Sequence, residues 1–387
     1  MTLNNRHILV YLAIVFLFSS WIIFYTMPRL LQYPLLLVPA LLIILYKYHP
    51  YKKNNFLAFI LFGIVFFRFA IPNDADVTSP YLYTSMFRSL LLSSIFLIDR
   101  DHLVKVYEYF LMILAPILAV SLFFYLLKTS GLVNISPITT FIGPGEEGRL
   151  WNVYYLFSLQ VNFLNEEIIR FPGIFDEPGY LGTLLAFILG IEKFNLKPWW
   201  NKLFLFSGIL TFSLAFYILS AIYIIFSLHV KIRHKLYLAV LGAVMLAAGL
   251  IFYQDVFYER VYERVVTDDG LRITQDGRVG LERQEATIEG LAKLETIKLL
   301  FGAGHDAHQD IQFAPGVTWE RLIFQLGIVF TMLLVFLIIF FSSHSRQTLL
   351  FSAIFILSLI QRPAIFTPIW IFILAVGIHL NENKKKM

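Results

Sequence analysis

Apolar runs recur along almost the entire chain, from Ile8 near its start to Leu380 near its end. Hydrophobic residues make up 58% of the 387 residues, and charged residues only 15%. A soluble domain has no use for so much apolar surface, whereas about 20 consecutive apolar residues suffice to cross a bilayer as a helix. The sequence therefore predicts an all-α, polytopic membrane protein.

The remaining composition excludes several classes of function. The first apolar run has no small-residue cleavage site, so we interpret it as a retained span and not as a signal peptide. Cysteine is absent, which excludes a disulfide framework, a thiol nucleophile and a cysteine-based metal site. The formal net charge of +5 does not indicate nucleic-acid binding, because the basic residues do not cluster on one soluble face.

Hydropathy predicts about 12 transmembrane helices. They lie near Ile8–Tyr25, Pro34–Tyr46, Phe56–Ile71, Leu82–Ile98, Tyr107–Leu127, Tyr180–Phe194, Leu203–Ser213, Ala215–Val230, Leu236–Tyr253, Leu322–Phe341, Leu349–Ile360 and Ala364–Leu380. The seventh and eighth share one apolar run that is interrupted at Thr211-Phe-Ser213. A single long helix is the alternative interpretation of that run.

The short connections between the spans predict the orientation. Alternate connections carry Lys and Arg, whereas the opposite loop 73–80 has Asp74 and Asp76 and no basic residue. The positive-inside rule then places both termini in the cytoplasm. It also puts the segments Lys193–Lys202 and Lys231–Lys235 on one side. The run between them must cross twice, or dip in and return, with a bend near Ser213.

Two long polar excursions fall on the outer side and divide the chain into five segments. These are the N-terminal helices 1–127, a first outer loop 128–179, helices with a short broken pair near 211–215 in 180–253, a second outer loop 254–321, and the last helices with a basic cytoplasmic tail in 322–387. We expect the two outer loops to converge on one face of the membrane.

Each outer loop carries patterns of its own. Gly143-Pro-Gly145 in the first loop is typical of a turn. The aromatic stretch Trp151–Phe163 that follows either anchors the protein at the lipid headgroups or contacts a ligand. In the second loop, a repeat at 258–265 predicts a helix with solvated charges. A further helix from Asp276 could lie on the membrane as a lid, with Arg278 and Arg283 at its N-terminus, where backbone N–H groups favour an anion.

Arginines gather at the outer side of the predicted spans. Arg68 lies three residues from the outer end of its span and Arg88 about two turns into the next one. Ionisable groups inside spans are costly and therefore indicate function, although snorkelling to the headgroups is the simpler interpretation of Arg29 and Arg321. A pocket built from these and the loop arginines would suit a phosphate or pyrophosphate, because a guanidinium binds two oxygens at once. Its members would be Arg68, Arg88, Arg149, Arg170, Arg278, Arg283 and Arg362.

At these residues the chain resembles the O-antigen polymerase and O-antigen ligase superfamily. The resemblance rests on Arg170-Phe-Pro-Gly173 running into Phe175-Asp-Glu-Pro178, on Gly277-Arg278 followed by Leu300-Phe-Gly-Ala-Gly304, on Glu320 leading to Gln325-Leu-Gly-Ile328, and on Thr211-Phe-Ser213. Ligases of the superfamily carry a His-Asn pair where this chain has Gly316 and Val317, while His305 and His308 lie upstream. The resemblance therefore favours the polymerase branch, with ligase-type transfer as the alternative.

The resemblance implies a glycosyltransferase in the bacterial cytoplasmic membrane, with its active site on the outer, periplasmic face. Its donor and acceptor would be oligosaccharides on undecaprenyl pyrophosphate, and its partners a flippase and a chain-length regulator. It implies no cofactor and no obligatory metal, because arginines can neutralise the leaving pyrophosphate. Arg170 and Arg278 would do so, with Asp176 among the substrate-binding residues.

The base that takes the acceptor's proton is either Glu177 or His305. Glu177, just before Pro178, could instead only cap the next helix. His305, which follows Gly302 and Gly304, could instead be an exposed loop histidine.

Two rival functions remain. Asp74 and Asp76 permit a divalent-metal site, as in membrane glycosyltransferases that use polyprenyl-monophosphate sugars, although Asn-Asp ahead of Ser79-Pro80 is ordinary turn chemistry. A lipid-linked oligosaccharide flippase should keep its polar groups at the bilayer midplane, at the interface of internal repeats. The sequence has neither an inverted repeat nor matching pairs of broken helices, which counts against a flippase or other transporter.

Overall fold

The structure is a computed structural model. It describes residues 5–19, 29–47, 53–71, 80–142, 150–154, 157–161, 170–175, 177–226, 266–267, 270–271, 295–304, 318–361 and 364–380. This part of the chain is mostly α-helical, which confirms the prediction of an all-α fold. The predicted span 236–253 and the helical repeat at 258–265 lie outside it.

The chain forms two compact units. The first combines Met1–Phe110 with Gln275–Met387, and the second is Leu111–Thr274.

The first unit contains most of the helices. They are α1 (Asn5–Phe18), α2 (Arg29–Lys47), α3 (Lys53–Ala70), α4 (Pro80–Ser94) with the 3₁₀ turn Ile95–Leu97, the start of α5 (Arg100–Thr129), α9 (Thr296–Phe301), α10 (Thr318–Ser342), α11 (Arg346–Gln361), and α12 (Pro368–Leu380), which follows the 3₁₀ turn Ala364–Phe366. α12 is apolar on all sides and is buried from Pro368 to Ile378, as a helix without a polar face must be. Its Phe372 stacks on Phe16 of α1, with ring centroids 4.7 Å apart.

α3 and α4 pack closely because small side chains line their contact. The Ser89 hydroxyl of α4 donates to the Phe66 carbonyl oxygen of α3 at 2.7 Å. A Cβ added to Gly63 would meet only the Ser93 side chain, at 3.8 Å. Hydroxyls and glycine at such a contact let two helix backbones approach each other in an apolar environment.

The second unit contains the remainder of α5, a small sheet, and the helices α6 (Pro178–Ile191), α7 (Trp199–Leu210) and α8 (Leu214–Phe226). α7 and α8 both pack on α6. The chain is not helical at 211–213, which is the interruption that the sequence predicts. Two further short strands, Val266–Thr267 and Gly270–Leu271, pair with each other.

A three-stranded antiparallel sheet lies in the first predicted outer loop. It is formed by β1 (Thr139–Ile142), β2 (Leu150–Val153) and β3 (Ser158–Val161), with Thr139 opposite Val153 and Leu150 opposite Val161. The sequence analysis did not predict these strands, because four residues are too few for a clear alternating pattern. They place Val153 and Leu159 in the buried interior.

Two of the described helices, Arg100–Thr129 and Leu322–Ser342, are long and apolar enough to cross a membrane by length and composition. Eight shorter apolar helices accompany them, namely Asn5–Phe18, Leu31–Tyr46, Asn54–Ala70, Leu82–Leu97, Pro178–Ile191, Leu214–Phe226, Arg346–Leu359 and Pro368–Leu380. This content of apolar helices is consistent with association with a membrane.

Candidate functional site

Four of the residues predicted for the site are described by the structure. Arg170 and Glu177 belong to the second unit, and Arg68 and Arg88 to the first. The others lie outside the described residues and stay predictions: Arg149, Asp176, Arg278, Arg283, His305 and Arg362.

Arg170 is held at the interruption between α7 and α8. Its side chain is only 7% exposed. Its Nε donates to the Thr211 carbonyl oxygen at 3.0 Å, and its Nη2 donates to the Phe212 carbonyl oxygen at 3.1 Å. The next backbone N–H, of Phe171, donates to the Leu210 carbonyl oxygen at 3.1 Å. Three consecutive carbonyls at the end of α7 therefore have partners from the Arg170–Phe171 segment.

These bonds answer a local requirement of the backbone. The last carbonyls of a helix have no partner within the helix, and a basic side chain there also interacts favourably with the helix dipole. Phe212 adopts a positive φ of 46°, which turns the chain sharply after α7. The Thr211 hydroxyl donates to the Gly208 carbonyl oxygen at 2.6 Å and accepts from the Ser213 N–H at 3.2 Å. Hydrogen bonds to a charged group contribute about 1.5–3 kcal/mol each, so Arg170 stabilises this interruption substantially.

Two glycines allow the neighbouring segments to pack against the interruption. Gly173 has a φ of +59°, and a Cβ there would lie 3.0 Å from Leu118 Cδ2 and 3.1 Å from Leu181 Cδ2. A Cβ on Gly182 of α6 would lie 2.7 Å from both Ser213 Cβ and Thr211 Oγ1. We call the group of Arg170, Gly173, Glu177, Gly182 and residues 211–213 the entry cluster.

Glu177 occupies the N-cap position of α6 with an extended backbone (φ −127°, ψ 134°). Its carbonyl oxygen accepts from the N–H groups of Tyr180 at 3.0 Å and Leu181 at 3.3 Å, which begins the helix. Its carboxylate makes no capping hydrogen bond, although the side chain is half-buried. The capping interpretation of this carboxylate is therefore wrong. Pro178 at the first helical position compensates, because it has no N–H to satisfy.

Tyr217 of α8 lies next to the entry cluster and bonds to the end of α7. Its hydroxyl donates to the Ile209 carbonyl oxygen at 2.8 Å, which ties α8 to the last turn of α7. The interruption therefore carries the buried guanidinium of Arg170, and the Tyr217 phenol bonds to the same end of α7.

A second arginine contact lies in the first unit. Arg68, in the last turn of α3, donates from Nε to the Phe301 carbonyl oxygen at 2.7 Å and from Nη2 to the Gly302 carbonyl oxygen at 2.6 Å. These carbonyls stand at the C-terminus of α9. Like Arg170, Arg68 thus spans two consecutive carbonyls where a short helix ends.

The chain after α9 then lies against a break in α10. Gly327 is non-helical, with φ 77° and ψ 169°, so the carbonyls that precede it lose their helical partners. The Ala303 N–H donates to the Phe324 carbonyl oxygen at 2.7 Å, and the Gly304 N–H to the Gln325 carbonyl oxygen at 3.3 Å. We call residues 302–304 the glycine turn.

Both glycine motifs, Gly302-Ala-Gly304 and the one at Gly327, are visible in the sequence. Their contact and the binding of carbonyls by Arg68 were not predicted. The available signal was the pair of motifs itself, since a glycine in each of two segments permits a close approach of their backbones. Arg88 is half-buried on α4. The roles of Arg68 and Arg88 as pyrophosphate ligands stay predictions.

The chain matches no protein-family model, no curated protein and no solved structure.

Proposed function

We propose that this protein is a membrane glycosyltransferase that polymerises undecaprenyl-pyrophosphate-linked oligosaccharide repeat units on the outer face of the bacterial cytoplasmic membrane. The observation that carries the proposal is the position of Arg170. A buried guanidinium is fixed at a helix interruption, a few residues before a carboxylate that is not used as a cap. Besides stabilising the interruption, the guanidinium supplies a buried positive charge, which would suit a pyrophosphate leaving group.

Exposed apolar faces support insertion in a bilayer. Large apolar side chains at spacings of three or four residues face outward on α3 (Phe56, Ile60, Ile64, Phe67) and on α10 (Ile328, Met332, Phe336, Ile339). Soluble monomers rarely expose apolar patches of more than a few hundred Å². We therefore propose about 12 membrane-inserted segments with both termini in the cytoplasm.

The length of α7 favours a re-entrant segment over a complete crossing. Its 12 residues span about 18 Å at 1.5 Å per residue, whereas the hydrocarbon core is about 30 Å thick. A helix that starts at the basic connection 193–202 would then end inside the bilayer. The entry cluster would lie in a recess of the outer leaflet, where a lipid-linked pyrophosphate can reach it while its prenyl chain stays in the bilayer.

The chemistry is a displacement at the anomeric carbon of the donor. The acceptor hydroxyl oxygen forms a bond to that carbon, and the bond from the carbon to the pyrophosphate oxygen breaks. The bonding pair leaves with the lipid pyrophosphate, and the hydroxyl proton passes to Glu177 or His305. Arg170 is held by its bonds to two carbonyls, and its main contribution would be a fixed positive charge where negative charge develops.

The remaining arginines complete the proposed scheme. Arg278 would neutralise the leaving group together with Arg170, because its predicted position at a helix N-terminus favours an anion. Supporting contacts would come from Arg88, Arg149, Arg283 and Arg362. No step requires a metal or a cofactor.

The decisive experiment supplies purified protein with a lipid-linked repeat unit and examines the products for a ladder. We expect a ladder with the wild type, and chain growth slower by about a hundredfold for Arg170→Ala and for Arg278→Ala. Arg346→Gln, at the predicted cytoplasmic end of α11, is the matched control and should keep the wild-type rate. Long glycan from both variants at normal protein level would contradict the arginine scheme.

Other outcomes of the same experiment identify the rival functions. A single transfer of glycan to another acceptor, without a ladder, would indicate ligase-type activity. Translocation of the lipid-linked unit across liposomes, without chain growth, would indicate a flippase. Either result would replace the polymerase proposal.

A further inference from the structure

We propose that Arg68 is a positioning residue that holds the glycine turn against the break in α10 and so restrains the start of the segment that leads directly to His305. This inference rests on the proposed function. It gives Arg68 a role different from the phosphate ligand expected from its sequence.

Main-chain acceptors already occupy one edge of the Arg68 guanidinium. A guanidinium binds a phosphate or carboxylate most strongly through two parallel N–H groups of one edge. In Arg68 the Nε–Nη2 edge is already engaged, at 2.7 Å and 2.6 Å, by the carbonyl oxygens of Phe301 and Gly302. Both distances are in the range of charge-assisted hydrogen bonds, so a ligand would have to displace two good acceptors to use this edge.

The Arg68 contact also restrains the glycine turn. The glycine turn is fixed from one side by Arg68 and from the other by two hydrogen bonds to the carbonyls of Phe324 and Gln325. Ala303, between the two glycines, is only 4% exposed. Arg68 thus ties α3 to the end of α9, and the glycine turn in turn bonds to the break in α10.

Continuity of the chain connects this arrangement to catalysis. His305 follows Gly304 directly in the sequence and is one of the two candidate bases. A base must lie within about one hydrogen bond of the proton it takes, and a displacement of about 1 Å can cost a hundredfold in rate. Loss of the Arg68 contact should therefore lower kcat while the KM for the lipid-linked unit changes little.

The absence of cysteine from the chain allows a direct test of the contact that does not depend on activity. Ala303→Cys places a single thiol in the buried turn, where we expect slow reaction with a maleimide. Adding Arg68→Gln should raise the labelling rate at least tenfold. Arg68→Lys should raise it as well, because one ammonium group cannot span two carbonyls. Adding Arg346→Gln should leave the rate unchanged.

Kinetics with the lipid-linked repeat unit separate positioning from ligand binding. For Arg68→Gln, with the amount of folded protein measured by size-exclusion chromatography, we expect kcat lower by about a hundredfold and KM within about threefold of wild type.

Slow labelling in both Arg68 variants would overturn the positioning role even if the enzyme is a polymerase. A raised KM with unchanged labelling would assign Arg68 to the ligand instead. If the Arg68 variants are labelled quickly but the wild-type protein makes no ladder, the proposed function is refuted. The structural role of the Arg68 contact then still stands.

Discussion

Gly302 and Gly327 meet backbone to backbone, each with a positive φ. A Cβ on Gly302 would lie 2.4 Å from the Gln325 carbonyl oxygen, and a Cβ on Gly327 would lie 2.3 Å from the Gly302 nitrogen. The atoms that these Cβ atoms would meet belong to the main chain, which cannot rotate away as a side chain would. The two positions therefore depend on glycine for space as well as for conformation.

Gly327→Ala should destabilise the protein strongly. The backbone conformation alone costs about 1–3 kcal/mol for a residue with a Cβ, and the contact with Gly302 adds to it. Thermal unfolding in detergent measures the effect. Gly63→Ala is the matched control, because its Cβ would stand 3.8 Å from Ser93 Cβ and alanine favours a helix over glycine by about 1 kcal/mol. Equal melting temperatures for the two variants would contradict the close approach.

Arg170→Lys should lose stability as well as activity. A lysine keeps the charge but cannot bond to the Thr211 and Phe212 carbonyls at the same time. Because each bond contributes about 1.5–3 kcal/mol, we expect the free energy of unfolding to fall by about 2 kcal/mol or more. Chemical or thermal unfolding of the second unit in the purified protein tests this. A stable lysine variant with full chain growth would show that the bidentate contact is dispensable.

Glu177→Gln should separate catalysis from stability. Glutamine keeps the size and the hydrogen-bonding reach of glutamate, and the helix loses no capping bond, so the free energy of unfolding should change by only about 0.5 kcal/mol. As a general base, Glu177 would contribute about 10²–10⁴ in rate, so chain growth should fall by that factor. The two measurements are made on the same preparation. A variant that is less stable but equally fast would return Glu177 to a structural role and favour His305 as the base.

The predicted orientation can be tested with two single-cysteine variants of nearly native shape. Ser130→Cys lies just beyond α5 and should react with a membrane-impermeant maleimide added to intact spheroplasts. Ser343→Cys lies in the turn between α10 and α11 and should react only after the membrane is permeabilised. Both serines are exposed, so accessibility in detergent should be equal. The reverse labelling pattern would invert the topology and move the proposed site to the cytoplasm.

Chain growth should persist in excess EDTA. The scheme relies on arginine charge where other enzymes use a divalent cation. A ladder assay with and without chelator, followed by re-addition of Mg²⁺, checks this. Activity that is lost in EDTA and restored by Mg²⁺ would return attention to Asp74 and Asp76, which lie outside the described residues.

Hydropathy was sufficient to locate most of the described helices. The predicted span Phe56–Ile71 corresponds to the helix Lys53–Ala70, and the prediction of a bend near Ser213 corresponds to the gap between α7 and α8. These features depend on long runs of one residue class and on small polar residues that interrupt them. Both are visible in the sequence without knowledge of the contacts that each residue makes in the folded protein.

The partners of the arginines were not predictable in the same way. Arg68 and Arg170 were both expected to face an anionic ligand, but the structure gives each of them two main-chain carbonyls. Every residue has a carbonyl, so no residue type marks these acceptors in the sequence. The small sheet was missed for a different reason, since its strands are short and are stabilised mainly by pairing with each other.

The composition of the first unit from both ends of the chain has a consequence for biosynthesis. Arg68 and its acceptors are 233 and 234 positions apart, with the whole second unit between them. At about 5–20 residues per second, a ribosome needs roughly 10 to 50 seconds to make the intervening stretch. During that time α3 is already synthesised while the carbonyls that Arg68 will bind do not yet exist. We therefore expect Arg68 to use other acceptors, such as water or lipid headgroups, until the end of α9 is made.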